Sequence, residues 1–202
     1  EGCGPTCGSC AFYGTANTMC CLAEALGMSL PGSALIPAVY ADRMRMGEAT
    51  GKAVVSLVKN NITARSIITE QSLRNAVRVL MATGGSTNAV LHLTALAAEL
   101  GIAAETMMEI YDSLSATTPQ VAKVNPASKY DMEDFHHAGG IPQVMAEISG
   151  LLDLGCLTVS GKTVGENLNA LPANRHVDRE VIRTVDTAFN AAQGLAILRG
   201  NL

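Results

Sequence analysis

The sequence predicts a helix-rich α/β fold, and three observations point to it. Hydrophobic residues form 48% of the 202 residues, whereas aromatic residues form only 3% and tryptophan is absent. A supply of small and aliphatic side chains suits closely packed helices better than a β-sandwich. Apolar residues recur at helical spacing over most of the chain, and only short segments resemble strands. The length allows one large domain or two small ones.

The first three helices are predicted within the first 83 residues. Apolar positions at helical spacing cover residues 15–26, and Gly27 suits the stop that follows them. Two prolines and a glycine make residues 28–37 a loop, after which a helical pattern covers residues 38–59. A third helix is expected from residue 70 or 72 to residue 83.

Four further helices follow the glycine pair at positions 84 and 85. Helical spacing predicts them over residues 89–100, 105–115, 131–137 and 142–152, with Asp131 as the N-cap of the third. A turn and a short helix are expected at residues 161–168. Strand candidates are short, and they cover residues 121–124, 157–159 and 195–198.

Charge and hydropathy exclude several classes of function. The net charge of −4 leaves no basic surface for nucleic acid. No apolar run is long enough for a membrane span, and no signal-peptide pattern is present. We therefore expect a soluble, cytoplasmic protein with no nucleic-acid or membrane partner. The start at Glu1, without Met, suggests a fragment of a longer protein.

Three cysteines in a Gly-rich loop, Cys3, Cys7 and Cys10, are candidate ligands, because thiolates bind iron–sulfur clusters and zinc. Cys7 and Cys10 form one Cys-x-x-Cys pair, without the second pair of a four-thiolate site. The spacing alone leaves three readings open: a metal site completed from elsewhere, a redox pair, or incidental thiols. The other three cysteines lie in apolar segments and are expected to be buried: Cys20, Cys21 and Cys156.

The turn at residues 84–88 is a second candidate site. Exposed N–H groups at a helix start can bind a carboxylate or phosphate, which makes Ser86, Thr87 and Asn88 candidate substrate-binding residues. The simpler reading is a glycine turn followed by an N-cap. His92 and the acidic and histidine-rich segment 131–137 are interpreted as surface features, because their spacing matches no helical metal motif.

The stretch 5–19, Pro-Thr-Cys-Gly-Ser-Cys-Ala-Phe-Tyr-Gly-Thr-Ala-Asn-Thr-Met, resembles the dihydroxy-acid and sugar-acid dehydratase family. The likeness continues, in the order of the family, through segments 24–32, 41–43, 81–93, 129–134, 138–141 and 157–163. It therefore covers nearly the whole chain.

The resemblance implies a hydro-lyase that uses an iron–sulfur cluster, [2Fe–2S] or [4Fe–4S], together with Mg²⁺. It implies that Cys10 is one of three cluster cysteines. Cys3 and Cys7 match positions that several members lack, which leaves them as secondary or structural thiols, with Cys7 as the secondary ligand candidate. The other cluster ligands, the Mg²⁺ ligands and the catalytic base would lie outside the chain. In this family a base removes the C2 proton while the open iron activates the C3 hydroxyl, and a 2-keto acid results.

The resemblance also implies the domain to which the chain belongs and the substrate of the full enzyme. Residues 1–194 would belong to the N-terminal α/β domain of a two-domain homodimer, and residues 195–202 would begin the C-terminal domain or a linker. The substrate would be a branched-chain dihydroxy acid or, alternatively, a sugar acid such as phosphogluconate, gluconate or a pentonate. A different class stays open: a non-catalytic helical, redox or zinc module. By itself the chain is expected to be inactive.

Overall fold

The computed structural model describes residues 8–198 and Gly200, and these residues fold mainly as helices. Nine α-helices occur among them: α1 Thr15–Ala25, α2 Ala41–Lys59, α3 Ala64–Ile67, α4 Glu70–Thr83, α5 Asn88–Glu99, α6 Ala104–Ser115, α7 Met132–His137, α8 Gly140–Glu147 and α9 Val164–Asn169. Two short 3₁₀ turns cover Ser149–Leu151 and Val185–Thr187. Cys3 and Cys7 lie outside the described residues.

Helix α4 forms the centre of the core. Ten of its fourteen residues are buried, and it packs against α1, α5, α6 and α8. Its apolar side chains, including Leu73, Leu80 and Met81, are fully buried. By contrast, no residue of the nineteen-residue α2 is buried. The core therefore lies around α4, and α2 lies on its outside.

Local capping residues explain where several helices begin. Thr69 and Ser72 at the start of α4 form a capping box, and Thr163 and Glu166 do the same at α9. Asp131 accepts hydrogen bonds from the backbone N–H groups of Glu133 and Asp134, which confirms it as the N-cap of α7. Helix α3, which periodicity did not predict, begins at another capping box, on Thr63.

The strand predictions for segments 121–124, 157–159 and 195–198 are wrong. The described residues contain isolated β-bridges instead, such as Gln120 with Asn190 and Ala122 with Ile182. The N–H groups of Val121 and Ala122 both donate to the carbonyl of Ala82 at the end of α4, at 2.9 and 3.0 Å. Because the 3₁₀ turn at Val185–Thr187 separates the two bridges, no continuous ladder forms there.

Helix-rich packing is thus confirmed, whereas the β part of the predicted α/β class is reduced to bridges in the described residues. The third bridge, Leu157 with Thr163, closes a tight turn at Gly161. No helix in the described part of the chain is long and apolar enough to cross a membrane.

Candidate functional site

Cys10 lies in the loop immediately before α1, and its side chain is exposed. The loop backbone is fixed from several directions. Asn17 Nδ2 donates to the carbonyl oxygens of Cys10 at 2.6 Å and of Phe12 at 2.9 Å. The N–H of Met132 donates to the Ala11 carbonyl at 2.9 Å. Because the backbone of the loop is held in place and the thiol is exposed, the thiol can bind a metal group without a large rearrangement.

The residue that ends this loop, Tyr13, ties it to the core. Its ring is buried and packs edge-to-face on Phe135, with 6.2 Å between centroids. Its hydroxyl lies 3.0 Å from Thr83 Oγ1, at the end of α4. The loop is therefore anchored through Tyr13 to the buried centre of the molecule, while Cys10 stays at the surface.

Cys10 lines a cavity of about 280 Å³. The cavity is bounded by the cysteine loop, by residues 34–38 and by the start of α7, where Asp131, Met132 and Glu133 lie. Leu35, Ile36 and Met132 are buried and give it an apolar wall. The cavity thus combines one thiol, two carboxylates, the side chains of Asn17 and Arg43, and aliphatic surface.

The 28–37 loop that forms one side of this cavity depends on two charged residues. The buried carboxylate of Glu24 accepts N–H groups of Gly32 at 2.7 Å and Ala34 at 2.9 Å. Arg43 donates to the carbonyl oxygens of Ser33 and Ile36. Burial raises the pKa of Glu24 from 4.5 to about 7, although the backbone hydrogen bonds act in the opposite direction.

Arg43 therefore bonds the loop carbonyls rather than the adjacent carboxylate of Asp42. Asp42 pairs instead with Arg45, three residues along α2. The guanidinium group of Arg43 faces the loop and donates to its carbonyl oxygens. Periodicity could not have revealed this role.

The other cysteines of the described region differ from Cys10. Cys21 is fully buried, and desolvation, together with the nearby Glu24, raises the pKa of its thiol. Burial also raises the pKa of Cys156, to about 11. Cys20 is exposed, which corrects the prediction that it is buried. High pKa values keep Cys21 and Cys156 protonated and make them poor ligands.

The second candidate loop, residues 84–88, is joined to the start of α1. The Oγ of Ser86 lies 3.0 Å from Thr15 Oγ1, and Asn88 Nδ2 donates to the same Thr15 oxygen at 2.8 Å. The Ser86 N–H donates to Thr18 Oγ1 at 3.0 Å. Ser86 and Asn88 therefore bind protein groups, whereas Thr87, the N-cap of α5, makes no side-chain capping bond and is exposed.

A second cleft, of about 460 Å³, lies between the two loops. Ser86 and Thr87 line it from one side, and residues 12–15 line it from the other. Cys10 does not line this cleft; it faces the first cavity. The two motifs are thus neighbours held together by Thr15, and each opens onto its own cavity.

The acidic and histidine-rich segment is only partly a surface feature: Asp134 and His137 are exposed, whereas Asp131 and Glu133 line the Cys10 cavity. Glu133 accepts a hydrogen bond from the Tyr40 hydroxyl, which also lies 3.1 Å from His137 Nε2. The bond to Glu133 raises the pKa of Tyr40. Across residues 8–198 there is no cluster of three or more His, Cys, Asp or Glu side chains that could hold a metal ion. His92 is exposed on α5.

Comparison with known proteins identifies the relatives of this chain. The sequence profile of the family described as "Dihydroxy-acid/6-phosphogluconate dehydratase N-terminal" matches residues 1–167. A protein of Nitratidesulfovibrio vulgaris strain DP4, named dihydroxy-acid dehydratase, is 48% identical over 204 aligned residues, which cover all of this chain and 36% of that protein.

Two further curated proteins with the same name show similar identity. The protein of Carboxydothermus hydrogenoformans is 50% identical, and that of Caldanaerobacter subterraneus subsp. tengcongensis is 46% identical. The alignments cover 98% of this chain and 35% of each relative. The chain therefore spans about a third of the length of the curated relatives that it matches.

Proposed function

Because the chain belongs to the dihydroxy-acid/6-phosphogluconate dehydratase family, we propose that the protein carrying it is a hydro-lyase. Its substrate is a 2,3-dihydroxy acid, its product is the 2-keto acid, and the reaction serves branched-chain amino-acid biosynthesis. The observation that carries the proposal is the 46–50% identity, over essentially the whole chain, to proteins named dihydroxy-acid dehydratase.

Cys10 is proposed as one ligand of an iron–sulfur cluster, of the [2Fe–2S] or [4Fe–4S] type. Its exposed thiol borders a cavity, and thiolate is the ordinary protein ligand of such clusters. Within residues 8–198, Cys10 is the one cysteine that lines this cavity and no histidine does, so a single cluster ligand is assigned to the described part of the chain. The remaining cluster ligands and the Mg²⁺ ligands are assigned to residues beyond those described, with Cys7 as a secondary candidate.

When bound, the cluster supplies a Lewis acid that makes the C3 hydroxyl a better leaving group. The residues of this chain hold that centre in place. Asn17 and Met132 fix the backbone carbonyl groups of Cys10 and of the two residues after it, and Tyr13 anchors the loop to the core. Glu24 and Arg43 hold the 28–37 loop against the same cavity. Their combined effect is to keep the thiolate in one position.

Two features bear on the choice of substrate. The buried side chains Leu35, Ile36 and Met132 give the Cys10 cavity an aliphatic wall, which suits a branched-chain dihydroxy acid. A sugar acid needs several hydrogen-bond partners for its additional hydroxyl groups. The named relatives favour the dihydroxy acid, and a sugar acid is the alternative.

The remaining proposals concern the domain to which the chain belongs, and the oligomeric state and cellular location of the enzyme. Residues 1–194 are assigned to the N-terminal domain of a homodimeric, cytoplasmic enzyme, and residues 195–202 to the start of the next domain or a linker. The family profile over residues 1–167 supports the first of these assignments. A redox or zinc module built on Cys7 and Cys10 is the alternative from another class, and it predicts zinc or a disulfide rather than iron and sulfide.

The test is a substrate panel on the full-length protein that carries this chain. The purified, anaerobically reconstituted enzyme is incubated with 2,3-dihydroxyisovalerate, 6-phosphogluconate, gluconate and a pentonate, and keto-acid formation is measured. We expect the largest kcat/KM for the branched-chain dihydroxy acid. Preference for a sugar acid would support the alternative substrate, and absence of keto acid from every substrate would contradict the hydro-lyase proposal.

A further inference from the structure

Asn17 is a buried amide that faces the loop of the candidate cluster ligand. It lies in the first turn of α1 and is 4% exposed. Its Nδ2 group donates to two carbonyl oxygens of the preceding loop, that of Cys10 at 2.6 Å and that of Phe12 at 2.9 Å. Both partners are acceptors only, so the chemistry requires the NH₂ side of the amide to face the loop.

The two hydrogen bonds fix the Cys10–Ala11 and Phe12–Tyr13 peptide groups. The carbonyl of Ala11, which lies between them, accepts from the Met132 N–H at 2.9 Å. Three consecutive carbonyl groups, of Cys10, Ala11 and Phe12, are thereby held by groups outside the loop. The carbonyl carbon of Cys10 is bonded to the Cα atom that carries the thiol side chain. Fixing the direction of this carbonyl group therefore restricts the position from which the side chain extends.

An asparagine at this buried position is favourable only if its amide is hydrogen-bonded, because burying an amide without hydrogen bonds is strongly unfavourable. The neighbouring buried positions of α1 include Leu22 and Ala25, which pack in the core. The amide of Asn17 recovers this cost only through its bonds to the loop, so its contribution is to the loop conformation.

We propose that Asn17 is a positioning residue for Cys10, which sets the place of the thiolate at the cavity and so the environment of the cluster. This inference rests on the proposed function, since it concerns the ligand that the function requires. Groups that orient a metal ligand typically contribute about 10-fold or more to metal affinity or activity when they are removed.

The chain offers a matched control in Asn75. Asn75 is 1% exposed, lies on α4, and also binds backbone groups through its amide, at 2.9 Å to both the N–H and the carbonyl of Asp153. It does not contact the cysteine loop. Asn17→Ala and Asn75→Ala therefore remove the same type of buried amide, but only the first change affects the surroundings of Cys10.

The test uses the full-length enzyme, reconstituted anaerobically, with four variants: Asn17→Ala, Asn17→Gln, Asn75→Ala and Cys10→Ser. The measurements are iron and sulfide per chain, the visible and EPR spectra of the cluster, the thermal unfolding midpoint and kcat. We expect Asn17→Ala to lose cluster and shift its spectra, with kcat about 10-fold lower. Asn75→Ala is expected to lower the unfolding midpoint while the spectra of the cluster stay unchanged.

Wild-type spectra and cluster content in Asn17→Ala would overturn the inference. The inference would also be overturned if Asn75→Ala lost as much cluster as Asn17→Ala, because the loss would then reflect general instability. If Asn17→Ala is recovered unfolded, Asn17→Gln decides: it keeps the donors but displaces them by one methylene, so shifted spectra support the inference and wild-type spectra contradict it. Retention of the cluster in Cys10→Ser would instead refute the proposed ligand itself.

Discussion

The Oγ1 atom of Thr15 lies 3.0 Å from the Oγ atom of Ser86, which joins the first residue of α1 to the loop before α5. The same Thr15 oxygen accepts a hydrogen bond from Asn88 at 2.8 Å. Two segments about seventy residues apart in the sequence, both part of the resemblance to the dehydratase family, are thereby one structural unit. The cysteine loop and the Gly84–Gly85 turn therefore hold each other in place.

The first prediction concerns this junction. Thr15→Val keeps the size of the side chain but removes the acceptor for Asn88 and the partner of Ser86, so we expect a loss of about 1–2 kcal/mol in the free energy of unfolding. Thr50→Val is the control, because Thr50 bonds only the carbonyl of Met46 within α2. Urea unfolding of both variants measures the difference. Equal stabilities of the two variants would show that the junction contributes nothing.

The second prediction concerns Thr87, whose side chain differs in its hydrogen bonding from those of its neighbours. Ser86 and Asn88 are occupied by bonds to α1, whereas the exposed Thr87 side chain makes no capping bond and lines the 460 Å³ cleft. If this cleft receives the substrate, Thr87→Val should raise KM several-fold, by the loss of one hydrogen bond worth about 1 kcal/mol, and leave the unfolding midpoint unchanged. Steady-state kinetics and thermal unfolding test this. An unchanged KM would remove Thr87 from the candidate substrate-binding residues.

The third prediction concerns the pH dependence that Glu24 confers. Because burial raises its pKa from 4.5 to about 7, the folded state binds more protons than the unfolded state between these pH values. The stability contributed by Glu24 is therefore fully present below about pH 4.5, falls as the pH rises, and is lost above about pH 7. The shift corresponds to about 3 kcal/mol over this range.

Urea unfolding of wild type and Glu24→Gln across pH 4–8 measures the effect of Glu24. The difference in unfolding free energy between the two proteins should change over this window, as the wild type loses stability with rising pH. Glu99→Gln, at an exposed position at the end of α5, is the control and should track the wild type. If wild type and Glu24→Gln show parallel pH profiles, Glu24 does not titrate as described.

The fourth prediction uses two glycines with opposite surroundings. A Cβ atom at Gly85 would lie 2.8 Å from Thr18 Cγ2 and 3.0 Å from Leu80 Cδ1, whereas a Cβ at Gly47 on the exposed face of α2 would meet no atom within 4 Å. Gly85→Ala should therefore destabilise the protein by about 1–3 kcal/mol by overpacking. Gly47→Ala should stabilise it by about 0.5–1 kcal/mol through helix propensity. In thermal unfolding, the midpoint of Gly85→Ala should lie below that of the wild type and the midpoint of Gly47→Ala above it. A shift of both midpoints in the same direction would contradict this packing.

The helices were the predictable part of this fold, because their signals are local. The apolar periodicity of residues 70–83 and the Asp131 cap correspond directly to the observed elements. The strand predictions failed because short apolar segments look alike in sequence. Whether residues 121–124 form a ladder depends on a partner sixty residues away and on the carbonyl of Ala82.

The candidate site was predictable only in its thiol. Cys10 stood out by its motif, but Asn17, Glu24 and Arg43 did not, since each looks in sequence like an ordinary polar residue of a helix. Asn17 and Glu24, which are seven residues apart, lie on the same face of α1, and both are buried. A polar residue at a buried helical position is the signal that could have identified them, yet the buried face becomes known only once α1 is packed.

The most direct test of the central claim is the cluster content of Cys10→Ser compared with Cys20→Ser. Both residues are exposed cysteines near the start of the described chain, one in the loop and one on α1. After anaerobic reconstitution of the full-length protein, iron and sulfide per chain should fall to near zero, together with dehydratase activity, in Cys10→Ser and stay at the wild-type level in Cys20→Ser. Wild-type iron, sulfide and keto-acid formation in Cys10→Ser would contradict the assignment of Cys10 as a cluster ligand.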